Sequence, residues 1–227
     1  RENTNVPVPR LYNYFSEEIE GISRSRCGYI VMEKMDGVTL QSIIDSLDTQ
    51  SVEAAAADLA AYIRELHKLD REGWGMTGKN GFFHRGRFSY DVGPCRISST
   101  TEFVGYFARA AKIIQQGDEG LSDSDISGIE LSRPPAFSHG DLVPENIMCD
   151  PASHRIIGII DWEHAGCYPY FWNTLVAKRR IAPYSANWER IYSLSMEECD
   201  RAATKFGWYY TMADIYGTSE FSETLQV

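Results

Sequence analysis

Positive charge is scarce in this chain. Its 227 residues carry 22 Lys and Arg against 32 Asp and Glu, a formal net charge of −10, and nucleic-acid backbones demand clustered cations, so nucleic acid is disfavoured as a partner. Cysteine is also sparse. Cys27, Cys95, Cys149, Cys167 and Cys199 lie far apart, are odd in number and include no CxxC pair, which argues against a disulfide framework or zinc site and for reduced thiols in a core. The histidines His67, His84, His139, His154 and His164 lack metal-ligand spacing. Long apolar runs are missing too. The longest, Ile156 to Ile160, is far too short to cross a bilayer, and no N-terminal signal pattern is visible, so a soluble cytoplasmic protein with no membrane partner is expected. Repeats and low-complexity tracts are absent.

What is present suffices for a folded body. With 43% hydrophobic residues, a chain of this length buries a real core. Ser51 to Leu69 predicts a helix, with an alanine-rich start and Leu59, Tyr62, Ile63, Leu66 and Leu69 at helical spacing. His67 near its end is a structural histidine, favourable there when protonated. A second helix is expected from Ser99, where Ser99-Thr100-Thr101-Glu102 fits a capping box and Phe103, Tyr106, Phe107, Ala110, Ile113 and Ile114 form an apolar stripe. Between them, Gly73 to Cys95 has no clear period and reads as a long surface excursion that could border an acceptor site. Beyond Ser185, helical stretches at Trp188 to Leu194 and Met196 to Phe206 lead to a polar, frayed end. There Trp208, Tyr209, Tyr210 and Tyr216 are expected to pack on the body.

The chemistry concentrates in His139-Gly140-Asp141-Leu142-Val143-Pro144-Glu145-Asn146-Ile147, followed by Ile159-Ile160-Asp161-Trp162-Glu163. Phosphoryl transfer needs a carboxylate to orient the attacking hydroxyl and oxygen ligands for magnesium bridging the nucleotide phosphates. Asp141, Asn146 and Asp161 have the residue types and spacing for it. Cys149 to His154 is rich in turn formers and separates two apolar stretches, Asn146 to Met148 and Arg155 to Ile160, so a β-hairpin is predicted with Asn146 and Asp161 at its open end. Magnesium keeps several waters and accepts few protein ligands, so one Asn and one Asp with substrate phosphates make a sufficient site.

These residues resemble the aminoglycoside phosphotransferase and choline kinase-like family, whose signature is HGDxxxxN followed by a hydrophobic strand ending in D-W or D-F. Ala165-Gly166-Cys167-Tyr168-Pro169 with Trp172 resembles the continuation common in that family. The resemblance implies an α+β, protein kinase-like fold, with a partial small β lobe over residues 1–36 and a mostly helical large lobe over 37–227. It implies Asp141 as catalytic base, Asn146 and Asp161 as magnesium ligands, ATP and Mg2+ as cofactors, and a small-molecule hydroxyl as acceptor, for which the acidity of the chain permits a cation. His139 would brace the catalytic loop. Cys27 to Glu33 resembles the last small-lobe strand and Glu33-Lys34-Met35-Asp36-Gly37 the hinge, so Met32, Glu33 and Met35 would receive adenine.

A protein kinase is a poorer match. Position 140 is Gly where many protein kinases have Arg, position 143 is Val where Ser/Thr kinases usually have Lys, and no A-P-E follows Asp161 at a plausible distance. Kinase-like folds also cover the triphosphate with a Gly-rich loop and hold it with a strand lysine. Neither is visible here, no lysine precedes Lys34, and Arg1 to Tyr12 resembles the segment after the small-lobe helix. The expectation is a chain that starts midway through the small lobe. Turnover by this chain alone would then be weak, and a catalytically impaired, kinase-like binding protein is the alternative.

Overall fold

The computed structural model describes residues 3–18, 26–69, 73–76, 97, 99–105, 132–179 and 185–196. The chain enters as an extended segment that is anchored before it reaches its first strand. Val6 is buried with the core, Val8 packs against it, and the Ile159 amide donates to the Pro7 carbonyl at 2.8 Å.

Two strands follow, β1 (Leu11–Glu18) and β2 (Arg26–Met32), paired antiparallel with Phe15 opposite Tyr29. Those two rings stack at 4.9 Å between centroids, the cross-strand aromatic pairing that stabilises a pleated ribbon. The ribbon presents Leu11, Tyr14 and Ile30 to the surface. Past the ladder, the Glu33 amide donates to the Arg10 carbonyl at 2.8 Å and the Glu33 carboxylate accepts from the Arg10 amide at 2.9 Å. β2 matches the expected strand over Cys27 to Glu33, whereas β1 was not expected.

The chain then crosses close to the main body. A β-carbon on Gly37 would approach the Cys149 carbonyl oxygen to 2.5 Å, so only glycine passes here without displacing backbone. Next come β3 (Val38–Thr39), the short helix α1 (Leu40–Ile43), a 3-10 turn (Ile44–Ser46) and the long helix α2 (Thr49–His67). Asp48 caps α2 by accepting from the Ser51 amide at 2.8 Å, satisfying one of the free donors of the first turn. The helix therefore starts two residues before Ser51 and ends at His67, short of Leu69. Val52, Ala55, Ala56, Leu59, Ile63 and Leu66 line its buried face, and a large aliphatic side chain buried this fully contributes about 1.5–3 kcal/mol.

β4 (Gly75–Met76) pairs with a later strand, so the expected surface excursion from Gly73 holds a two-residue strand; residues 77–95 lie outside the described set. Residues 100–105 form the start of α3, where the Glu102 amide donates to Ser99 Oγ at 3.1 Å as the capping box required. Phe103 of its stripe is fully buried; the stripe from Tyr106 to Ile114 lies outside the described residues. β5 (Ala136–Ser138), β6 (Ile147–Cys149), β7 (Ile156–Ile159) and β8 (Gly166–Tyr168) complete two small sheets of order β3-β6-β7 and β4-β8-β5. Two helices follow, α4 (Trp172–Arg179) and α5 (Ala186–Ser195).

α5 lies against α2, its Trp188, Ile191 and Tyr192 in the same core cluster, and Asn187 Nδ2 donates to the carbonyls of Ile44 and Leu47 at 2.8 and 3.1 Å. The expected helix from Trp188 to Leu194 is thus present. Met196 to Phe206 lies mostly outside the described residues, as do Trp208, Tyr209, Tyr210 and Tyr216. Among the described residues no helix is long and apolar enough to cross a membrane. Cys149 and Cys167 are buried and not disulfide-bonded, and burial pushes the Cys149 thiol up to about 12.

Candidate functional site

Two loops converge at one end of the β3-β6-β7 sheet. The first runs from β5 through His139, Gly140 and Asp141 to a 3-10 turn (Pro144–Asn146) and into β6. Leu142 and Val143 are buried beneath it. Pro144 opens the turn with its φ preset, and the turn closes with the Asn146 amide on the Val143 carbonyl at 2.9 Å.

The second loop follows β7. The β6 and β7 strands pair antiparallel with Ile147 opposite Ile159, and the Ile160 amide extends the ladder to the Asn146 carbonyl at 2.9 Å. Asn146 and Asp161 therefore share the open end of the hairpin, as the turn chemistry required. The closed end is organised by Asp150, whose Oδ1 accepts from the Ala152 and Ser153 amides at 3.1 and 2.7 Å and from the Ser153 hydroxyl at 2.8 Å. Those bonds hold its carboxyl below the usual carboxylate range, the Ser153 amide first.

Asp58 of α2 fixes β7 from below. It receives Arg155 Nε at 2.7 Å, an Arg155 terminal nitrogen at 2.5 Å and the Ile156 amide at 3.2 Å. The backbone bond to Ile156, with the guanidinium pairing beside it, ties α2 to the start of the strand that delivers Asp161.

The Asp141 loop and the Asp161 loop are then tied together by His139. Its ring is fully buried. Nδ1 accepts from the Asp141 amide at 3.2 Å, and the opposite nitrogen, Nε2, lies 2.9 Å from the Ile160 carbonyl. An amide can only donate and a carbonyl can only accept, so the ring is the neutral Nε2–H tautomer, assigned from this network. Burial lowers its pKa from 6.5 to about 4, against the raising effect of the Ile160 bond, consistent with that neutral form. His139 braces the loop, as the resemblance implied.

Gly140 has a reason of its own. Its φ is 86°, and a β-carbon there would collide with the backbone carbonyl of His164. The position read earlier as a departure from protein kinases is one where this chain's second loop leaves no room for a side chain.

Two of the three candidate residues are bonded directly, and the third follows Ile160, whose amide is held by Asn146. Asn146 Nδ2 donates to the Asp141 carbonyl at 2.9 Å and to Asp141 Oδ2 at 3.4 Å. Both partners are acceptors, so the amide nitrogen is fixed on that side and the side-chain oxygen is the end left for a cation. Asp141 is half-buried, Asn146 buried and Asp161 exposed. An amide oxygen and an exposed carboxylate are hard donors of the kind magnesium takes. Among the described residues no cluster of three His, Cys, Asp or Glu could hold a metal.

The residues expected to form the hinge lie at the end of β2 and just after it. Met32 is the exposed last residue of β2. The Glu33 amide is committed to Arg10, and the Met35 carbonyl accepts from Gly37 at 3.0 Å. Met35 rests on β7, where a β-carbon on Gly158 would come within 2.6 Å of its methyl group. Met35 thus touches the strand leading to Asp161. Sequence reasoning missed this use of Gly158, the Asp58 tether and the requirement at Gly140. A lone Gly in an apolar strand was the available signal for the first.

Comparison with known proteins agrees with this geometry. A sequence model of the phosphotransferase enzyme family matches residues 2–177. The subtelomeric hrmA-associated cluster protein of Aspergillus fumigatus is 23% identical over 247 aligned residues, covering 73% of this chain and 48% of that protein. The chain therefore spans about half the length of this curated relative. Among solved structures, the GDP complex of wild-type aminoglycoside 2'-phosphotransferase-IIIa matches with a TM-score of 0.61 at 15% identity, covering 98% of this chain and 74% of that one. The ternary complex of a thermostable APH(4)-Ia mutant with ADP and hygromycin B matches with a TM-score of 0.56 at 16% identity, covering 97% and 74%. The likeness to these structures establishes the protein kinase-like fold.

Proposed function

The chain belongs to the phosphotransferase enzyme family, and on that premise we propose that it carries the large-lobe site for ATP- and magnesium-dependent phosphoryl transfer to a small-molecule hydroxyl. The observation that carries this reading is the pair of hydrogen bonds from Asn146 to Asp141 at the open end of the β6–β7 hairpin. It joins Asn146 to Asp141 beside the loop that carries Asp161, which supports reading the first as a metal ligand and the second as the base.

In this reading Asp141 accepts the proton of the acceptor hydroxyl while that oxygen attacks the terminal phosphorus, and the bond from phosphorus to the bridging oxygen breaks to release ADP. Asn146, through its side-chain oxygen, and Asp161 would hold Mg2+, which supplies neutralisation of the phosphate oxygens. Met32, Glu33 and Met35 would receive the adenine. Residues 1–36 act as the part of the small lobe that carries the hinge, and residues 37–227 as the large lobe.

A cationic acceptor suits a chain of net charge −10. The hygromycin B complex of a fold relative makes aminoglycosides the first compounds to try. The test is phosphorylated product, detected by mass spectrometry, with the full chain, ATP, magnesium and an aminoglycoside panel. Transfer abolished in Asp141→Ala with nucleotide binding nearly unchanged supports the assigned base; transfer that persists in the variant refutes it.

A further inference from the structure

Asp161 and His154 are the described residues other than glycine with positive φ, at 62° and 57°. The left-handed region is unfavourable for an L residue, so such a backbone persists only where its surroundings over-determine it. At Asp161 the restraints come from its two neighbours. Ile160 is held through its carbonyl by His139 Nε2 at 2.9 Å and through its amide by the Asn146 carbonyl at 2.9 Å. Trp162 is held by three further links.

Its indole Nε1–H donates back to the Ile159 carbonyl at 2.8 Å, its ring meets the His139 ring edge-on with centroids 4.6 Å apart, and its own carbonyl accepts from the Ala165 amide at 3.0 Å. The indole bond spans Ile160 and Asp161 and closes the chain into a loop around them. One buried histidine therefore grips both residues flanking Asp161, one by hydrogen bond and the other by ring contact.

Resting on the phosphotransfer reading above, we infer that Trp162 is a positioning residue: its indole N–H holds Asp161 in the left-handed backbone from which the carboxylate meets the metal. The bond does not touch nucleotide or metal. It acts through Asp161 alone, as outer partners of metal ligands do. Trp162 is half-buried, so an ordinary aromatic would fill the same space without the donor.

The experiment compares the full chain with Trp162→Phe, which keeps a ring against His139 and loses the N–H, and with Trp162→Leu, which loses both. ATP affinity is measured by calorimetry with and without magnesium, and backbone amide exchange is followed at Ile160 and Ala165. In Trp162→Phe the gain in affinity conferred by magnesium should fall about 10-fold while magnesium-free affinity stays unchanged, and exchange at both amides should accelerate. Trp162→Leu should lose more. A Phe variant with the parent's magnesium gain and the parent's exchange overturns the assignment. A parent that shows no magnesium gain refutes the phosphotransfer reading instead, and the exchange rates still decide the role of Trp162. Should the variants fail to fold, the indole N–H of the unmodified chain decides: slow solvent exchange supports the bond, fast exchange overturns it.

Discussion

Asn146 donates to Asp141 at two points, the backbone carbonyl at 2.9 Å and the carboxylate at 3.4 Å, so the candidate metal ligand also sets the orientation of the candidate base. Asn146→Ala removes both roles and should lower phosphoryl transfer at least about 100-fold, since outer partners alone are worth 10–100-fold. Asn146→Asp keeps an oxygen for metal but loses the donor. It should retain magnesium-dependent nucleotide binding and still lose turnover, which calorimetry and product analysis on the same preparation would separate.

Gly140→Ala meets two penalties, a positive φ and the His164 carbonyl. Left-handed backbone costs an L residue about 1–2 kcal/mol and an overpacked site about 1–3 kcal/mol. The variant should be destabilised by about 2–5 kcal/mol in urea denaturation. A variant within about 0.5 kcal/mol of the parent would mean that the two loops separate at little cost.

Acid should destabilise the fold through His139. Its pKa is lowered from 6.5 to about 4 by burial, so between those values the unfolded chain takes up a proton that the native chain refuses. The contribution is fully present above 6.5 and is lost as pH falls toward about 4, amounting to about 3 kcal/mol over the window. Denaturation midpoints between neutral and acid pH test it, with His139→Gln expected to be less stable at neutral pH but to show a flatter acid limb. An alkaline limb has the opposite sign: the Cys149 thiol, raised from 9.0 to about 12, costs stability as pH climbs above the lower value.

Asp58→Ala should cost about 1–3 kcal/mol, mainly because the Ile156 amide is left without its acceptor. Arg155 adds little, because its side chain is 59% exposed and returns to water. Asp58→Asn keeps an acceptor for the amide and should lose less. Equal losses in the two variants would show that the ion pair, and not the backbone bond, carries the tether.

The local parts of this site were legible in the sequence because local chemistry encodes them. Turn formers from Cys149 to His154 placed the hairpin, the apolar spacing from Leu59 to Leu66 placed α2, and the capping box placed the start of α3. β1 escaped because Tyr12, Tyr14 and Phe15 stand beside Asn13, Glu17 and Glu18 with no alternation, and its partner strand supplies what the pattern lacks. α2 began earlier than expected because Asp48, three residues before Ser51, was not read as a cap. The bonds of Asp58 to Arg155 and of His139 to Ile160 join positions far apart in sequence. Neither partner alone carries a signal that names the other, and the collision of Gly140 with His164 exists only once both loops are folded.

The central claim is that Asn146 and Asp161 form a magnesium-dependent nucleotide site beside Asp141. It is tested most directly by calorimetric ATP binding to the full chain and to Asp161→Ala, each with and without magnesium. Binding strengthened by magnesium in the parent and indifferent to magnesium in Asp161→Ala is the expected result. Binding that ignores magnesium in the parent, or a magnesium effect that survives in Asp161→Ala, would contradict the account.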